Sequence, residues 1–479
     1  MYDVNRKYWD PKIELMSLKE IKILQERRLR RVVDFVYSQS PFYRKKFDEI
    51  GLKPKHIKTL KDINKIPLTN KYEFRDSYAR SLEAGKLPFS EFITVPEEQV
   101  VTIHASSGTT GIPFSFPYLE REITEHGILA TGEHAARQFW AAGLRPGDIL
   151  AHIWNLGGAM AGGGNHIIAK GACIPELFLT MIPCHVGNTE KILQIMKDVN
   201  ATVMICTPSY AIYMPEVAKS IGIDLKKDIH LKAVVTGGEP GGASIPGLRD
   251  KLKGLWGAEI FDMYGGIGTG LDHECEAHSG FHIQSDIVFV QVIDPETKEE
   301  LPQGEYGSLV GTGLELSAFP VLRFDSEDRG AISEERCECG RTHPRILSVP
   351  GRWDDMIKIK GFQLHPNSIE KVVNETKGCS GEFLVILDKD ESQKEQMSIK
   401  VEYEPDVEDI EQFREKLEHH IRVVITFKAN VEMVPKGTLG RYVMKKQRVI
   451  DNRSKEKKEK FEDSLKVRSA DYFDSHKNK

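Results

Sequence analysis

The chain has 479 residues, of which 40% are hydrophobic and 29% are charged, and its formal net charge at pH 7 is -5. This length exceeds what one hydrophobic core usually serves, so an ordinary soluble protein of two or three domains is expected. The slightly acidic balance argues against a general nucleic-acid binder. No apolar run of a signal peptide opens the chain. The most apolar span, residues 149–174, is too broken by glycines, histidines and Lys170 for a membrane helix.

Seven cysteines are too few for a disulfide scaffold in a chain of this length. Reduced thiols in a cytoplasmic protein are therefore expected, and clustered cysteines would indicate a metal site. Neither a nucleic acid nor a membrane is expected as a partner. A homodimer is one option for the oligomeric state.

Apolar residues at helical spacing begin after Ser17 and continue to Val36, which predicts an amphipathic helix. Its arginines at 27, 28, 30 and 31 fit either a phosphate site or, as we prefer, a solvated helix face. This helix is expected to end at Ser40-Pro41, where a second amphipathic segment begins. Short helices are predicted over residues 59–85.

A loop of glycines and hydroxyl residues follows the apolar pair Val100-Val101. It could bring several backbone N–H groups and hydroxyls to one anion, because glycines have no Cβ in the way. No Gly-Lys-Ser/Thr closes it, so it is not a Walker loop. Taken alone, its composition favours a surface turn over a phosphate site. The candidate phosphate-binding residues are Ser106, Ser107, Gly108, Thr109, Thr110 and Gly111.

Apolar strands alternate with helices in the next part of the chain. A helix over about 119–142 precedes a strand at 149–153, and a strand at 201–206 precedes a helix at 209–221 and a strand at 233–236. Alternation of this kind predicts an α/β fold with mostly parallel strands. Residues 283–310 are rich in β-forming residues and predict a smaller β unit.

The residue pattern changes near Trp353 and predicts a compact α+β domain. We therefore expect a large N-terminal domain over residues 1–350, a small C-terminal domain over 351–451 and a charged tail over 452–479. Within the small domain, strands are predicted at 356–360, 382–387, 397–403 and 430–434, and helices at 366–376 and 408–422.

Three further segments follow predicted strands and could meet a nucleotide there, because ligands of α/β proteins bind at the carboxyl ends of strands. They are Thr236-Gly237-Gly238-Glu239-Pro240, Phe261-Asp262-Met263-Tyr264-Gly265-Gly266 and the acidic run from Arg323 to Arg329. Each alone fits an ordinary strand-end turn. Together with the glycine and hydroxyl loop, and in this order, these segments are a specific signal for a nucleotide site.

This order of motifs resembles the adenylate-forming superfamily and, more closely, its phenylacetate–coenzyme A ligase family. The resemblance covers most of the chain. It rests on Pro41-Phe42-Tyr43-Arg44, on His104 to Gly111, on Gly238-Glu239-Pro240, on Tyr264-Gly265, on Cys339-Gly340-Arg341-Thr342-His343 and on Gly351-Arg352-Trp353-Asp354-Asp355-Met356.

The resemblance implies a two-step reaction with ATP, Mg²⁺ and coenzyme A. A carboxylic acid is first converted to an acyl-adenylate, the small mobile domain then rotates, and coenzyme A displaces AMP. By resemblance the glycine and hydroxyl loop holds the β- and γ-phosphates. The other nucleotide-binding residues would be Gly238, Glu239, Pro240, Asp262, Tyr264 stacking on adenine, Gly265, Asp328 on the ribose and Arg352, with Asp354 as the hinge.

The activating lysine has two competing positions. If the family's pattern is aligned from Pro435 onward, the lysine position after Gly440 is occupied by Arg441. If it is aligned backward from Arg448-Val449-Ile450-Asp451, the lysine position is Lys445. Relatives carry a similar Arg-aromatic-x-Met-Lys, so Lys445 is preferred over Lys436 as the cation that faces the developing charge of the transition state. A solvated lysine beside Lys446 is the simpler alternative.

The sequence departs from the family at one point. The family has a Ser/Thr-Glu pair after Tyr-Gly, and its glutamate helps to hold Mg²⁺, but the matching positions here are Ile267 and Gly268. Phosphate oxygens and water could hold the ion instead, as they often do for Mg²⁺. Asp272 or Glu274 could also substitute, and impaired adenylation is a third option.

A second group of residues suits a closed structural zinc site, with Cys275, His282, Cys337 and Cys339 as ligands. Separate reduced thiols fit the spacing about equally well. Cysteines at these places in relatives favour zinc, with His278 as the alternative to His282.

The acid-binding pocket is predicted around Trp154 and Gly266. His152, Asn155, the glycine segment 157–164 and residues 237–242 are further candidates. The predicted function is an AMP-forming aryl or acyl acid–coenzyme A ligase. An adenylyltransferase acting on another acceptor, such as a deazaflavin cofactor, and a nucleotide-binding homologue with impaired catalysis are the alternatives.

Overall fold

The computed structural model describes residues 5–105, 115–119, 132–154, 179–185, 187–266, 270–353, 357–359, 362–364, 366–389, 394–425, 427–439 and 448–453. The chain divides into two compact units. The large unit comprises residues 1–244 and 249–353, and the small unit comprises residues 245–248 and 354–479.

Helices begin at polar caps and present an apolar face to the core. Ser17 starts the helix Leu18–Gln39 with a capping box, in which Ser17 and Glu20 exchange hydrogen bonds between side chain and backbone. The described α-helices are Pro11–Glu14, Leu18–Gln39, Pro41–Glu49, Lys71–Glu83, Gly132–Ala141, Thr189–Asp198, Pro208–Ser220, Leu225–Asp228, Leu248–Trp256, Pro366–Glu375 and Ile410–Ile425. Short 3₁₀ helices cover Pro54–His56, Leu60–Lys65 and Glu97–Gln99.

Strands of the large unit carry the site described below. They are β1 (Val100–Ala105), β2 (Ser115–Leu119), β3 (Ile149–Trp154), β4 (Thr180–His185), β5 (Val203–Cys206), β6 (Ala233–Thr236), β7 (Glu259–Gly266), β8 (Gly270–His273), β9 (Phe281–His282), β10 (Val288–Ile293), β11 (Gly307–Gly313), β12 (Phe324–Gly330), β13 (Ile332–Ser333), β14 (Arg345–Ile346) and β15 (Gly351–Arg352).

The main sheet of the large unit has the strand order β13-β14-β9-β8-β7-β6-β5-β3-β4 over the described residues. Strands β4, β3, β5, β6 and β7 are parallel, as the alternation of strands and helices predicts. All residues of β5 and β6 are buried, which is typical of parallel strands covered on both faces. The α/β class predicted from the sequence is confirmed.

Antiparallel strands extend this sheet beyond β7 and form the other sheets of the large unit. β8 pairs antiparallel with β7, and β9 and β14 follow. Strands β10, β11, β12 and β15 form a separate antiparallel sheet. The helix predicted from residue 119 is wrong at its start, because Leu119 pairs with Val100 in the hairpin of β1 and β2.

The predicted elements of the small unit occur in their predicted order, together with two strands that were not predicted, Phe362–Leu364 and Val449–Asp451. Its strands are β16 (Ile357–Ile359), β17 (Phe362–Leu364), β18 (Cys379–Lys389), β19 (Glu395–Tyr403), β20 (Asn430–Pro435) and β21 (Val449–Asp451). A four-stranded sheet of order β20-β19-β18-β21 shares one apolar core with the described helices Pro366–Glu375 and Ile410–Ile425. Arg448 closes the sheet by ion pairs to Glu370 and Glu382, with its guanidinium 4.3 Å from the Phe383 ring centroid.

Within the described ranges, no helix is both long and apolar enough to cross a lipid bilayer.

Candidate active site

The carboxyl ends of three parallel strands meet at one edge of the main sheet. Cys206, Thr236 and Asp262 are neighbours across β5, β6 and β7. The residues that directly follow them therefore lie side by side, where ligands of α/β proteins bind. Two of the segments singled out in the sequence, residues 236–240 and 261–266, are brought together in this way.

The turn after β6 is shaped by glycines. Gly238 has φ of +77°, a conformation that favours glycine, and a Cβ built on it would lie 3.3 Å from Cη2 of Trp154. Glu239 accepts hydrogen bonds from the backbone N–H (3.1 Å) and hydroxyl (3.0 Å) of Ser209. The structure thus places Trp154, predicted for the acid pocket, directly against the predicted nucleotide turn.

Tyr264 and Asp328 join two sheets at this edge. The Tyr264 hydroxyl donates to Oδ2 of Asp328 at 2.7 Å, which links β7 to β12. Arg352 on β15 pairs in register with Asp328. Its guanidinium reaches Glu327 at 3.1 Å. Three residues predicted to bind the nucleotide, from segments far apart in sequence, therefore adjoin one another.

Asp262 differs from these residues because its side chain is buried. Its exposed fraction is 3%, and its carboxylate accepts hydrogen bonds from the N–H of Ala243 (2.6 Å) and from the hydroxyl of Thr236. Burial, followed by the charge of Glu274, raises the pKa of this carboxyl above its ordinary value. Both carboxylate oxygens are thus engaged inside the protein.

The two acids considered as substitutes for the family's Mg²⁺ ligand are also buried. Glu274 is 1% exposed and accepts hydrogen bonds from Arg249 (2.7 Å) and from the backbone N–H of Asp262 (2.7 Å). Asp272 is fully buried, and burial raises its pKa well above the ordinary value. Both carboxylates are therefore shielded from solvent.

Asp272 gives a prediction about stability. Its pKa in the folded state is raised above the unfolded value of about 3.9. Between these two pKa values the folded chain binds more protons than the unfolded chain, so the free energy of unfolding falls as pH rises. Asp272→Asn has no carboxyl group to ionise, so it lacks the free-energy cost of burying a carboxylate. We expect the variant to gain stability relative to the wild type, by about 1 to 3 kcal/mol at pH 8 and less at pH 5, in urea unfolding. An equal difference at both pH values would contradict a buried carboxyl of raised pKa.

Four buried side chains form a Cys/His cluster beside the antiparallel extension of the sheet. The ligand atoms of Cys275, His282, Cys337 and Cys339 all lie within 4.8 Å of one another. His278 is not a member of this group: its Nδ1 lies 3.7 Å from Glu274, and its ring packs 5.1 Å from that of Phe261. Of the two histidines considered from the sequence, the structure brings His282 to the cysteines.

The spacing of the cluster fits a tetrahedral zinc ion. Bond lengths of about 2.3 Å for Zn–S and about 2.0 Å for Zn–N imply edges of about 3.8 Å between sulfurs and about 3.5 Å between sulfur and nitrogen. The observed separations are 3.7 Å between the sulfurs of Cys275 and Cys337, and 3.4 Å between Cys339 Sγ and His282 Nε2. Burial lowers the pKa of His282, which favours the neutral imidazole that binds metals.

Several predicted residues lie outside the described residues. They include Ser106 to Gly111 of the phosphate loop, Ile267 and Gly268, Asp354 and Lys445. Lys436, the competing lysine, is described, and its ammonium group lies 3.0 Å from Glu404. An ion pair therefore already engages that lysine.

Sequence reasoning missed the residues that hold the predicted ones in place. Glu327 forms ion pairs with both Lys71 and Arg352, and Ser209 donates a hydrogen bond to Glu239. Lys71 lies 256 residues before Glu327, so no local pattern signals that pair. Glu327 does have φ of +60°, but that conformation is visible only in the folded chain.

Comparison with known proteins agrees with this geometry. A family model described as the AMP-binding enzyme C-terminal domain matches residues 361–453. Phenylacetate-coenzyme A ligase of Thermus thermophilus is 36% identical over 76% of this chain and 78% of the relative. The Aromatoleum evansii enzyme of the same name is 32% identical over 93% of this chain and 97% of the relative.

Among solved structures, 2-hydroxyisobutyryl-CoA ligase in the postadenylation state, in complex with R3-HIB-AMP, aligns with a TM-score of 0.84. The two chains are 27% identical, and the alignment covers 98% of each. Relatives above 30% identity span most of the chain. The chain therefore belongs to the phenylacetate–coenzyme A ligase family of AMP-forming acid–coenzyme A ligases.

Proposed function

We propose that this acid–coenzyme A ligase activates an aryl acid with ATP and then forms the coenzyme A thioester. In the first step a carboxylate oxygen attacks the α-phosphorus of ATP and pyrophosphate leaves. In the second step the sulfur of coenzyme A attacks the acyl carbon, AMP leaves and the thiol proton is released. The observation that carries the proposal is the hydrogen bond between Tyr264 and Asp328 at the carboxyl edge of the sheet.

This contact supports a nucleoside site because it combines an aromatic face with a carboxylate. In our proposal the ring of Tyr264 packs on adenine, and Asp328 accepts hydrogen bonds from the ribose hydroxyls. Arg352 lies beside Asp328 in the sheet and would add positive charge near the phosphates. The loop from Ser106 to Gly111 would bind the β- and γ-phosphates.

An aryl acid is preferred because the residue beside the glycine turn is an indole. Trp154 is 9% exposed and contacts the Cβ position of Gly238. Its ring would form a flat apolar wall for the acid beside the adenylate, as aromatic pairs favour. Two relatives named phenylacetate-coenzyme A ligase agree with that class of acid.

Two metal ions belong to the proposal in different roles. Mg²⁺ would be held by the phosphates of ATP and by water, since Asp272 and Glu274 are buried. Zn²⁺ would be held by Cys275, His282, Cys337 and Cys339 as a structural ion. Four protein ligands leave no open position, so zinc would have no part in the reaction.

A pyrophosphate-release assay over a panel of carboxylic acids tests the proposal. We expect ATP-dependent release with arylacetic or benzoic acids, slower release with short aliphatic acids, and thioester only when coenzyme A is added. Pyrophosphate release that none of the acids increases would overturn the ligase proposal. Release that needs a phosphate-bearing cofactor as acceptor would instead identify an adenylyltransferase, and AMP binding without turnover an impaired homologue.

Asp328 gives a prediction about nucleotide affinity. Asp328→Ala removes the acceptor proposed for the ribose hydroxyls, so AMP should bind tenfold to hundredfold more weakly, or about 1.5 to 3 kcal/mol. Tyr264→Phe keeps the ring and loses the hydroxyl, and should weaken AMP binding only about threefold. Asp250→Ala, at an exposed acid of the helix Leu248–Trp256, serves as the control in calorimetry. Equal affinities of Asp328→Ala and wild type would contradict the ribose role.

A further inference from the structure

Asp262 and Glu274 form a buried pair beside the nucleotide site without being presented to it. The backbone N–H of Asp262 donates to Oε2 of Glu274 at 2.7 Å, and the N–H of Glu274 donates to the carbonyl of Asp262 at 3.1 Å. Their exposed fractions are 3% and 1%. Burying two carboxylates is costly unless each oxygen has a partner, so their partners indicate what the pair does.

The carboxylate of Asp262 holds the glycine turn from within. It accepts from the N–H of Ala243 at 2.6 Å and from the hydroxyl of Thr236, the last residue of β6. A Cβ on Gly241 would overlap all three atoms of this carboxyl group. One side chain thus holds Thr236, directly before the segment 237–243, and Ala243 at the end of that segment.

Glu274 extends the contact toward the Cys/His cluster. Its second oxygen accepts from Arg249 at 2.7 Å. The next residue in the chain is Cys275, whose sulfur lies 3.7 Å from that of Cys337. Hydrogen bonds therefore connect the turn to Asp262 and Asp262 to Glu274, and the peptide chain connects Glu274 to Cys275 of the cluster.

We propose that Asp262 and Glu274 are positioning residues, a relay that fixes the turn 237–243 of the nucleotide site and joins it to the Cys/His cluster. The proposal rests on the proposed function, because that function makes the turn part of a nucleotide site. Asp262 acts through the turn and not by contact with the nucleotide. Displacing its carboxylate should therefore weaken AMP binding while the chain stays folded.

The first test compares Asp262→Ala with Asp262→Asn by calorimetry of AMP binding. Alanine removes two hydrogen bonds from the turn and should weaken AMP binding by about tenfold or more. Asparagine can accept from Ala243 and donate to the Thr236 hydroxyl, which can act as an acceptor, so its affinity should stay within about threefold of wild type. Rescue by asparagine would show that the hydrogen bonds of this side chain, and not its negative charge, hold the turn.

The second test displaces the Asp262 carboxylate by a substitution at a neighbouring residue. It tests the relay even if Asp262→Ala does not fold. Gly241→Ala drives a methyl group into Asp262 and should also weaken AMP binding by about tenfold. Gly254→Ala is the matched control, because nothing lies within 4 Å of its Cβ position. Wild-type affinity in Gly241→Ala or in Asp262→Ala would overturn the relay.

A double-variant cycle tests the link to the cluster. Cys337→Ser should weaken AMP binding, and combined with Asp262→Ala it should weaken binding less than the product of the two separate factors. Factors that multiply would overturn the link. A wild-type protein that binds neither AMP nor ATP would overturn the proposed function as well, so the two failures are distinguishable.

Discussion

Lys445→Ala should slow acid-dependent pyrophosphate exchange by a factor of about 10² to 10³ while leaving thioester formation from supplied acyl-adenylate within about threefold of wild type. The ammonium group would face the charge that develops as the carboxylate attacks the α-phosphate, and that charge is absent from the second step. Removing one such preorganised group from a transition state costs about 10² to 10³ in kcat. Exchange of ³²P-labelled pyrophosphate into ATP measures the first step alone.

Lys436→Ala is the matched control for this prediction. Lys436 lies in the same unit, and its ammonium group is paired with Glu404 at 3.0 and 3.2 Å. Losing a pair that is a third exposed should change stability by less than about 1 kcal/mol and leave exchange intact. If Lys436→Ala lost exchange and Lys445→Ala retained it, the assignment of the activating lysine would be wrong.

Local patterns were sufficient for the elements that pack through their own sequence. The apolar runs at 203–206 and 233–236 predict buried parallel strands, and helical spacing predicts the helices of the small unit. Their side chains alternate or repeat within a few residues, so the signal lies within each segment. These local signals were enough to predict the parallel sheet of the large unit and the order of the predicted elements in the small unit.

Pairing between distant segments could not be predicted in the same way. β12 and β15 are short polar strands, and Asp328 meets Tyr264 across 64 residues of chain. The hairpin of β1 and β2 replaces the predicted start of a helix at Leu119, because cross-strand pairing outweighs local propensity. Asp262 was predicted as a nucleotide ligand from its position beside Tyr264, whereas the burial of its carboxylate is a tertiary property.

The Cys/His cluster lies between these two cases. Cys-x-Cys spacing alone left separate thiols as a full alternative. The folded chain brings sulfurs of Cys275 and Cys337, 62 residues apart, to 3.7 Å. The register of β8, β9 and β14 explains this, because His273 pairs with His282, and His282 with Arg345. The strands β8, β9 and β14 also extend the sheet from β7, the strand that carries Tyr264.

Removing the proposed zinc should therefore destabilise the large unit strongly. Three thiols and an imidazole held within 4.8 Å would lose their common partner, and β9, the strand that carries His282, is only two residues long. Structural zinc contributes several kcal/mol to folding, so Cys275→Ser should lower the thermal midpoint by roughly 10 °C. Differential scanning calorimetry measures this, and Cys184→Ser, outside the cluster, is the control.

Metal content distinguishes a zinc site from packed thiols. Purified wild-type protein should release one zinc per chain on denaturation, and Cys275→Ser should release much less. Treatment with a chelator at a temperature near the midpoint should lower the wild-type midpoint toward that of Cys275→Ser, because only the folded chain presents all four ligands together. A purified wild type that contains no zinc, and whose midpoint a chelator leaves unchanged, would show instead that the cluster packs as thiols.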